Sequence, residues 1–305
     1  MKKGRSLLVV GAFIMSFSAV FGQGDYAFKV LANKGTNEIK SGDTWMAVKT
    51  GASLKKEDEI KLAENSYIGL VSVGGKPLEL KASGSYKVVD LLSKVQSGSS
   101  SVVNKYTDFI LSSNSAEAKK NRLSATGAVH RGTPGEAKPL VVYLPDNTKS
   151  NFFNNTAIIN WEKANGPYVV TFRNMFDEEI AVVETPETNV QIDLGSAKLA
   201  TEHTFTVEVK SKSDSKVKSI AYMIKRLTPT QAEAIKKELS QVSSDVAEET
   251  ALNKFILAGF YEEHNLFIDA ITAYEQAIKM APDVPSYKEA YEEFLLRNNL
   301  KAEAK

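Results

Sequence analysis

The apolar residues of this chain keep two different periods, and the switch between them limits the folds open to it. From Tyr26 to about Val95, and again from Leu140 to Leu227, they recur at roughly every second position; beyond Thr228-Pro229 they recur every third or fourth. Period two sends side chains alternately to the two faces of a strand, whereas period 3.6 lines them along one stripe of a helix. The pattern predicts two β modules followed by an α-helical unit. Pro229 marks the change, because proline lacks the amide that a sheet ladder uses and suits the first turn of a helix.

In the first module, Phe28, Val30 and Leu31 open a strand, Thr44 to Val48 follow a Gly42-Asp43 turn, and Ile60-Lys61-Leu62 follow a charged turn at Lys55 to Glu59. Tyr67 to Val73 and Pro77 to Leu80 flank Gly74-Gly75-Lys76, where residues without a Cβ accept the positive φ of a tight hairpin. Trp45, Gly51-Ala-Ser-Leu54, Asp58-Glu-Ile60, Ala63, Tyr67 to Leu70, Gly74-Gly75-Lys76 and Leu78 resemble the FecR-like β domain, over about 70 residues. In its best-known setting that domain is the periplasmic part of an inner-membrane regulator. The resemblance implies a periplasmic β module over 23–95. It does not imply sigma-factor control, since this chain has a cleavable signal where the regulator has a cytoplasmic segment and a membrane span.

Leu91, Leu92, Val95, Val102, Val103, Tyr106, Ile110 and Leu111 fall at helical spacings around a Gly98-Ser-Ser-Ser101 interruption, which predicts a connecting helix. Asn114 to Lys138 is polar and ends in Gly132-Thr-Pro-Gly135, so it reads as a linker with one short strand at Ser124 to Val129. Helix and linker together fill 96–138.

The second module, 139–227, holds about seven predicted strands: Leu140–Leu144, Ala157–Trp161, Tyr168–Phe172, Ile180–Val183, Asn189–Leu194, Thr204–Lys210 and Val217–Ile224. Short strands at these intervals favour a β-sandwich. Ile159-Asn-Trp161, Gly166-Pro-Tyr168-Val-Val-Thr-Phe172, Asp193-Leu194 and Phe205-Thr-Val-Glu-Val209 look like a fibronectin type III domain, which implies an immunoglobulin-like sandwich without catalytic machinery.

The C-terminal unit, 228–305, begins with an amphipathic segment at Thr230 to Val242; Ser244 or Asp245 is then placed to cap a helix running through Tyr261. Leu257, Ala258, Tyr261, Phe267, Ala270, Tyr274, Ala277 and Pro282 match the spacing of a tetratricopeptide repeat, a helix hairpin in which small residues let two helices approach and aromatics fill the gaps. Asn265 stands where that turn often has glycine. A single repeat needs neighbours to cover its apolar face, and the helices at Thr228–Val242 and Tyr287–Leu300 are placed to supply them.

Lys2, Lys3 and Arg5 precede an apolar run from Leu7 to Phe21, with Val20 and Gly22 at the small-residue positions of a signal-peptidase site. That is the layout of a secretory signal over 1–22. Cleavage would leave 35 basic against 37 acidic residues, a net charge of −2, which argues against nucleic acid as a partner. No later run reaches the roughly 18 to 20 apolar residues of a membrane helix, and the absence of cysteine excludes lipoprotein acylation, disulfides and thiolate metal sites.

No catalytic constellation stands out. His130, His203 and His264 lie in three separate segments, and the acidic pairs Glu178-Glu179, Glu248-Glu249, Glu262-Glu263 and Glu292-Glu293 read as solvated surface. Neither a Gly-x-Ser-x-Gly elbow nor a Walker loop occurs. Trp45 and Trp161 sit in alternating strands and are expected in the core. The expected function is therefore that of a non-enzymatic, cofactor-free scaffold or adaptor that binds another envelope protein through its helical repeat and β modules, located in the periplasm, with the outer-membrane periphery or secretion as alternatives. Glycan or peptidoglycan binding, which needs exposed aromatics, is the alternative, with FecR-type envelope signalling a further one.

Overall fold

The computed structural model describes residues 26–95, 101–125, 139–146, 148–196, 198–243 and 245–302. The signal-peptide residues, His130, the Gly132–Gly135 segment and Ser244 lie outside the described residues. The layout is β-sheet in the N-terminal two-thirds and helix at the C-terminus.

The first β region holds eight strands: β1 (Phe28–Lys34), β2 (Glu38–Ser41), β3 (Thr44–Ala47), β4 (Ser53–Leu54), β5 (Glu59–Leu62), β6 (Tyr67–Ser72), β7 (Pro77–Leu80) and β8 (Gly84–Lys87). They form two four-stranded sheets, ordered β4-β1-β6-β7 and β3-β2-β5-β8. Phe28, Val30, Ile39, Ile60, Ile68 and Leu70 pack between them. The β6–β7 hairpin turns at Gly74-Gly75-Lys76, closed by Gly75 N donating to Ser72 O at 2.8 Å.

A bulge in the β1–β6 pairing falls between Val30 and Ala32. An extra residue there breaks the strict alternation of faces. Phe28 and Val30 therefore serve the sheet's own core, while Leu31 and Ala32 both join the helical core. Strand β6 is buried along its whole length because both of its faces are covered. Ile68 and Leu70 face the first core, and Tyr67 and Val71 face the helices.

Three helices follow, α1 (Val88–Lys94), α2 (Ser101–Ser113) and α3 (Ala116–Ala125). The linker expected from Asn114 is thus helical over α3, and Ser124 and Ala125 belong to that helix; the rest of the strand expected at Ser124 to Val129 lies outside the described residues. Ala-Glu-Ala-Lys-Lys is a run of strong helix formers, and Ser115 Oγ caps it by accepting from Ala118 N at 3.1 Å.

The second β region consists of β9 (Asn151–Phe152), β10 (Thr156–Asn160), β11 (Tyr168–Arg173), β12 (Glu179–Thr185), β13 (Asn189–Asp193), β14 (Thr204–Ser211) and β15 (Tyr222–Arg226). Five strands run in the order β12-β11-β14-β15-β9 and oppose the pair β10-β13, a sandwich-like arrangement around Trp161, Tyr168, Phe172, Phe205 and Val207. The segment Leu140–Leu144 is not a regular strand. Its bonds are divided: Leu140 N reaches Lys218 O at 2.9 Å, whereas Tyr143 N reaches Asn160 O at 2.8 Å, and only Val142 bridges Trp161. The strand expected at Val217 begins at Tyr222, because Val217 to Ser219 bond the end of β14 instead.

The C-terminal helices are α4 (Pro229–Ser243), α5 (Ala251–Glu263), α6 (Phe267–Met280) and α7 (Pro285–Arg297). Helix α5 starts later than Ser244 or Asp245 would place it. Thr250 caps it, accepting from Asn253 N at 3.2 Å, and Asp245 instead forms an ion pair with Lys76 of the β6–β7 turn. Asn265 turns the chain from α5 to α6 at φ 56°, a conformation that asparagine tolerates better than most residues.

Candidate interaction surfaces

Helices α5 and α6 form an antiparallel hairpin in which Ala258, Tyr261, Phe267, Ala270, Tyr274 and Ala277 are buried. Leu257 is half-buried, and Pro282 is exposed in the turn before α7. Aromatics fill the layer beneath: Phe255 meets Tyr287 at 4.9 Å between ring centroids, Tyr274 stacks on Tyr291 at 5.5 Å, and Phe267 meets Phe294 edge-on at 5.7 Å. Such pairs add about 0.5–1.5 kcal/mol each beyond the area they bury. Glu262, expected at the surface, is buried here, held by Arg297 at 2.6 and 2.7 Å and by Asn298 Nδ2 at 3.1 Å. A buried carboxylate persists only with partners of this kind.

The faces of the hairpin are occupied by the rest of the chain. Helix α2 lies against α5 so closely that a Cβ at Gly259 would sit 2.7 Å from Ile110 Cγ1, and Tyr106 packs on Phe260 at 5.2 Å. The first β region docks through the outer face of β6. Tyr67 donates to Glu79 Oε1 at 2.8 Å and shares a 2.6 Å hydrogen bond with the Tyr287 hydroxyl, while Glu79 also accepts from Leu252 N at 2.9 Å. Burial, together with Tyr287 and Glu79, keeps the Tyr67 hydroxyl protonated far above its ordinary range.

The second β region docks on α6 through main-chain groups. The buried Asp269 carboxylate accepts from Phe153 N, Asn154 N and Asn154 Nδ2, each at 2.8 Å. Burial raises this carboxyl to about 6, against the opposing pull of those donors. Along the edge of the sandwich that α6 covers, Ile158 N donates to Thr272 Oγ1 at 2.9 Å and Asn160 Nδ2 to Tyr291 Oη at 3.0 Å. None of these seam residues stood out in the sequence. A polar Asp269 and Thr272 inside the apolar stripe of α6 was the available signal.

Chemistry-bearing side chains are dispersed. His203 is exposed, and both nitrogens of His264 are engaged, Nδ1 with Phe260 O at 2.8 Å and Nε2 with Glu238 at 2.9 Å. Among the described residues no three His, Asp or Glu come together as a metal site, and no helix is long and apolar enough to cross a membrane. A cleft of about 250 Å³ lies where Lys149, Asn151 and Leu227 meet Gln231, Ile235 and His264.

Among the described residues, two pairs of adjacent large apolar side chains are exposed, besides single ones such as Ile220. Trp161 is 2% exposed and stacks edge-on against Tyr168, as expected, but Trp45 is 39% and its neighbour Met46 51% exposed. Strand β3 is the edge of its sheet and is exposed at all four positions, so period two there does not mark a buried face. The second patch is the β11–β12 turn, where Met175 is 57% and Phe176 85% exposed. No protein-family model matches the chain, and no curated protein does.

Proposed function

We propose that this chain is a non-enzymatic scaffold or adaptor, exported to the bacterial periplasm or cell envelope, that holds two β modules in a fixed relation and binds another envelope protein. In this reading the first module is FecR-like, the second is an immunoglobulin-like, fibronectin type III-like sandwich, and α5–α6 is a tetratricopeptide-like hairpin turned to an internal use. The observation that carries the reading is that one helical unit is engaged on both sides. Tyr287 and the Leu252 amide meet Tyr67 and Glu79, and Asp269 and Thr272 meet the sandwich edge. A unit so occupied acts as an internal clamp, which leaves partner contact to the β surfaces it positions.

Chemical crosslinking of cells that make the protein, followed by recovery of the intact chain, tests this. A protein recovered with the intact chain, and lost when Asp269→Ala and Tyr287→Ala loosen both joints, supports the reading. Recovery of neither protein nor glycan overturns it. A glycan-binding reading is favoured by one observation, the partly exposed Trp45 with Lys61 Nζ 6.0 Å from its ring centroid. Quenching of tryptophan fluorescence by peptidoglycan fragments, abolished in Trp45→Ala, would select it.

A further inference from the structure

The β11–β12 turn is an exposed apolar feature on a fully bonded frame. Asn174 organises it. Its Oδ1 accepts from Phe176 N at 2.9 Å and Glu178 N at 3.0 Å, and its Nδ2 donates to Glu178 Oε2 at 2.8 Å. The main chain closes the same loop: Asn174 N donates to Glu178 O at 3.0 Å and Asp177 N to Asn174 O at 3.1 Å. Asp177 takes φ 65°, which aspartate tolerates better than bulkier residues. The amides of Phe176, Asp177 and Glu178 are thus all bonded within the turn, and its shape is set without help from Met175 or Phe176. Those two side chains are the ones left outward.

A large aromatic held outward on a pre-ordered loop loses little conformational freedom when it enters a pocket, and aromatics in that position are the usual anchors of protein interfaces. Met175 beside it is unbranched and adapts to irregular cavities. The surrounding charge selects the occupant. Asp177, Glu178 and Glu179 are exposed, while Arg173, the one cation among them, is already paired with Glu179 at 2.6 Å. The local excess is acidic, and it would be repelled by an anionic lipid surface.

We propose that Phe176 and Met175 form a preorganised anchor that inserts into an apolar pocket, rimmed by Lys or Arg, on a protein partner. This rests on the scaffold reading and names the surface that reading requires. The test replaces Phe176 with a benzophenone amino acid in the full-length chain, and Trp45 likewise in a second chain, in cells that make the protein. The expected result is a protein adduct from position 176, with the crosslink mapped to an apolar pocket bordered by cations. With that protein purified, Phe176→Ser and Asp177→Lys should each weaken binding, the former by about tenfold or more, and added salt should weaken it further. The thermal midpoint of Phe176→Ser should match the parent, since its side chain is 85% exposed. Unchanged affinity in Phe176→Ser, or sedimentation of the chain with phosphatidylglycerol vesicles through Phe176, overturns the proposal. A protein adduct from position 45 alone, or from neither position, overturns it; the scaffold reading falls with it only where chemical crosslinking of the intact chain also recovers no protein.

Discussion

The two β regions meet the same helices by different chemistry. The first offers the outer face of β6, a strand whose amides are already paired with β1 and β7, so the helices supply mainly apolar cover and partners for side chains such as Tyr67 and Glu79. The second offers the edge of β10 and the turn before it, where main-chain amides are open. There α6 must provide acceptors, and Asp269 and Thr272 are those acceptors. A sheet face can be covered by hydrocarbon, but a sheet edge has to be hydrogen-bonded.

If that contrast is right, the largest loss comes from the edge seam. Asp269→Ala leaves the Phe153 and Asn154 amides without their acceptor in a dry site, and should lower unfolding free energy by about 2–5 kcal/mol, measured by denaturant titration. Next comes Gly259→Ala, which drives a methyl into the body of Ile110 and should cost about 1–3 kcal/mol. Gly69→Ala, on the face seam, should cost less, because its added Cβ crowds the flexible end of Leu252, at 2.9 Å, and reaches Ala32 Cβ and the Tyr67 hydroxyl only at 3.4 Å.

A pH series sharpens the comparison. The Asp269 carboxyl stands near 6 in the folded chain against 3.8 as its ordinary value, so between these values the folded state holds a proton that the unfolded state has released. Stability from this group is therefore greatest in acid and is lost as the pH rises through about 6. From pH 5 to 7 the decrease should be on the order of 1 kcal/mol, and Asp269→Asn should remove it. Tyr67→Phe and Tyr287→Phe, at the face seam, should each cost about 1 kcal/mol, with a double-mutant cycle showing that the losses do not add. The smallest effect belongs to the solvent-facing Lys34–Asp283 pair: Asp283→Asn should leave the denaturation midpoint unchanged within the scatter of the measurement.

Much of the layout was legible because it rests on local pattern. The strand periods, the Gly74-Gly75 hairpin, the stop at Pro229 and the hairpin from Ala258 to Ala277 each follow from neighbours within a few residues. What escaped reading depends on distant contacts. Tyr67-Ile-Gly-Leu-Val71 and Ala157-Ile-Ile-Asn-Trp161 each interrupt the alternation of apolar and polar positions, and that lapse is what burial on both faces looks like; period two alone hid it. Glu262 read as surface because its partner Arg297 is 35 residues away. Helix α3 was missed for a different reason. Its polar composition suggested a loop, although alanine, glutamate and lysine are strong helix formers. The outward anchor at Phe176 left no trace, since an aromatic between strands gives no sign of which way it faces.

The first strand of the chain rests against the last helix. Lys34 pairs with Asp283 across 249 positions, and Tyr67 with Tyr287 across 220. Contacts so remote in sequence close the largest loops and form late. While the chain is being made, β1 and β6 emerge early, yet Leu31, Tyr67 and Val71 lack the cover of α5 to α7 until those helices arrive. The N-terminal sheet therefore waits, with part of its outer apolar face bare, for the segment from Ala251 to Arg297. Order of synthesis thus becomes a cost of this arrangement, and a holding chaperone would act in that interval.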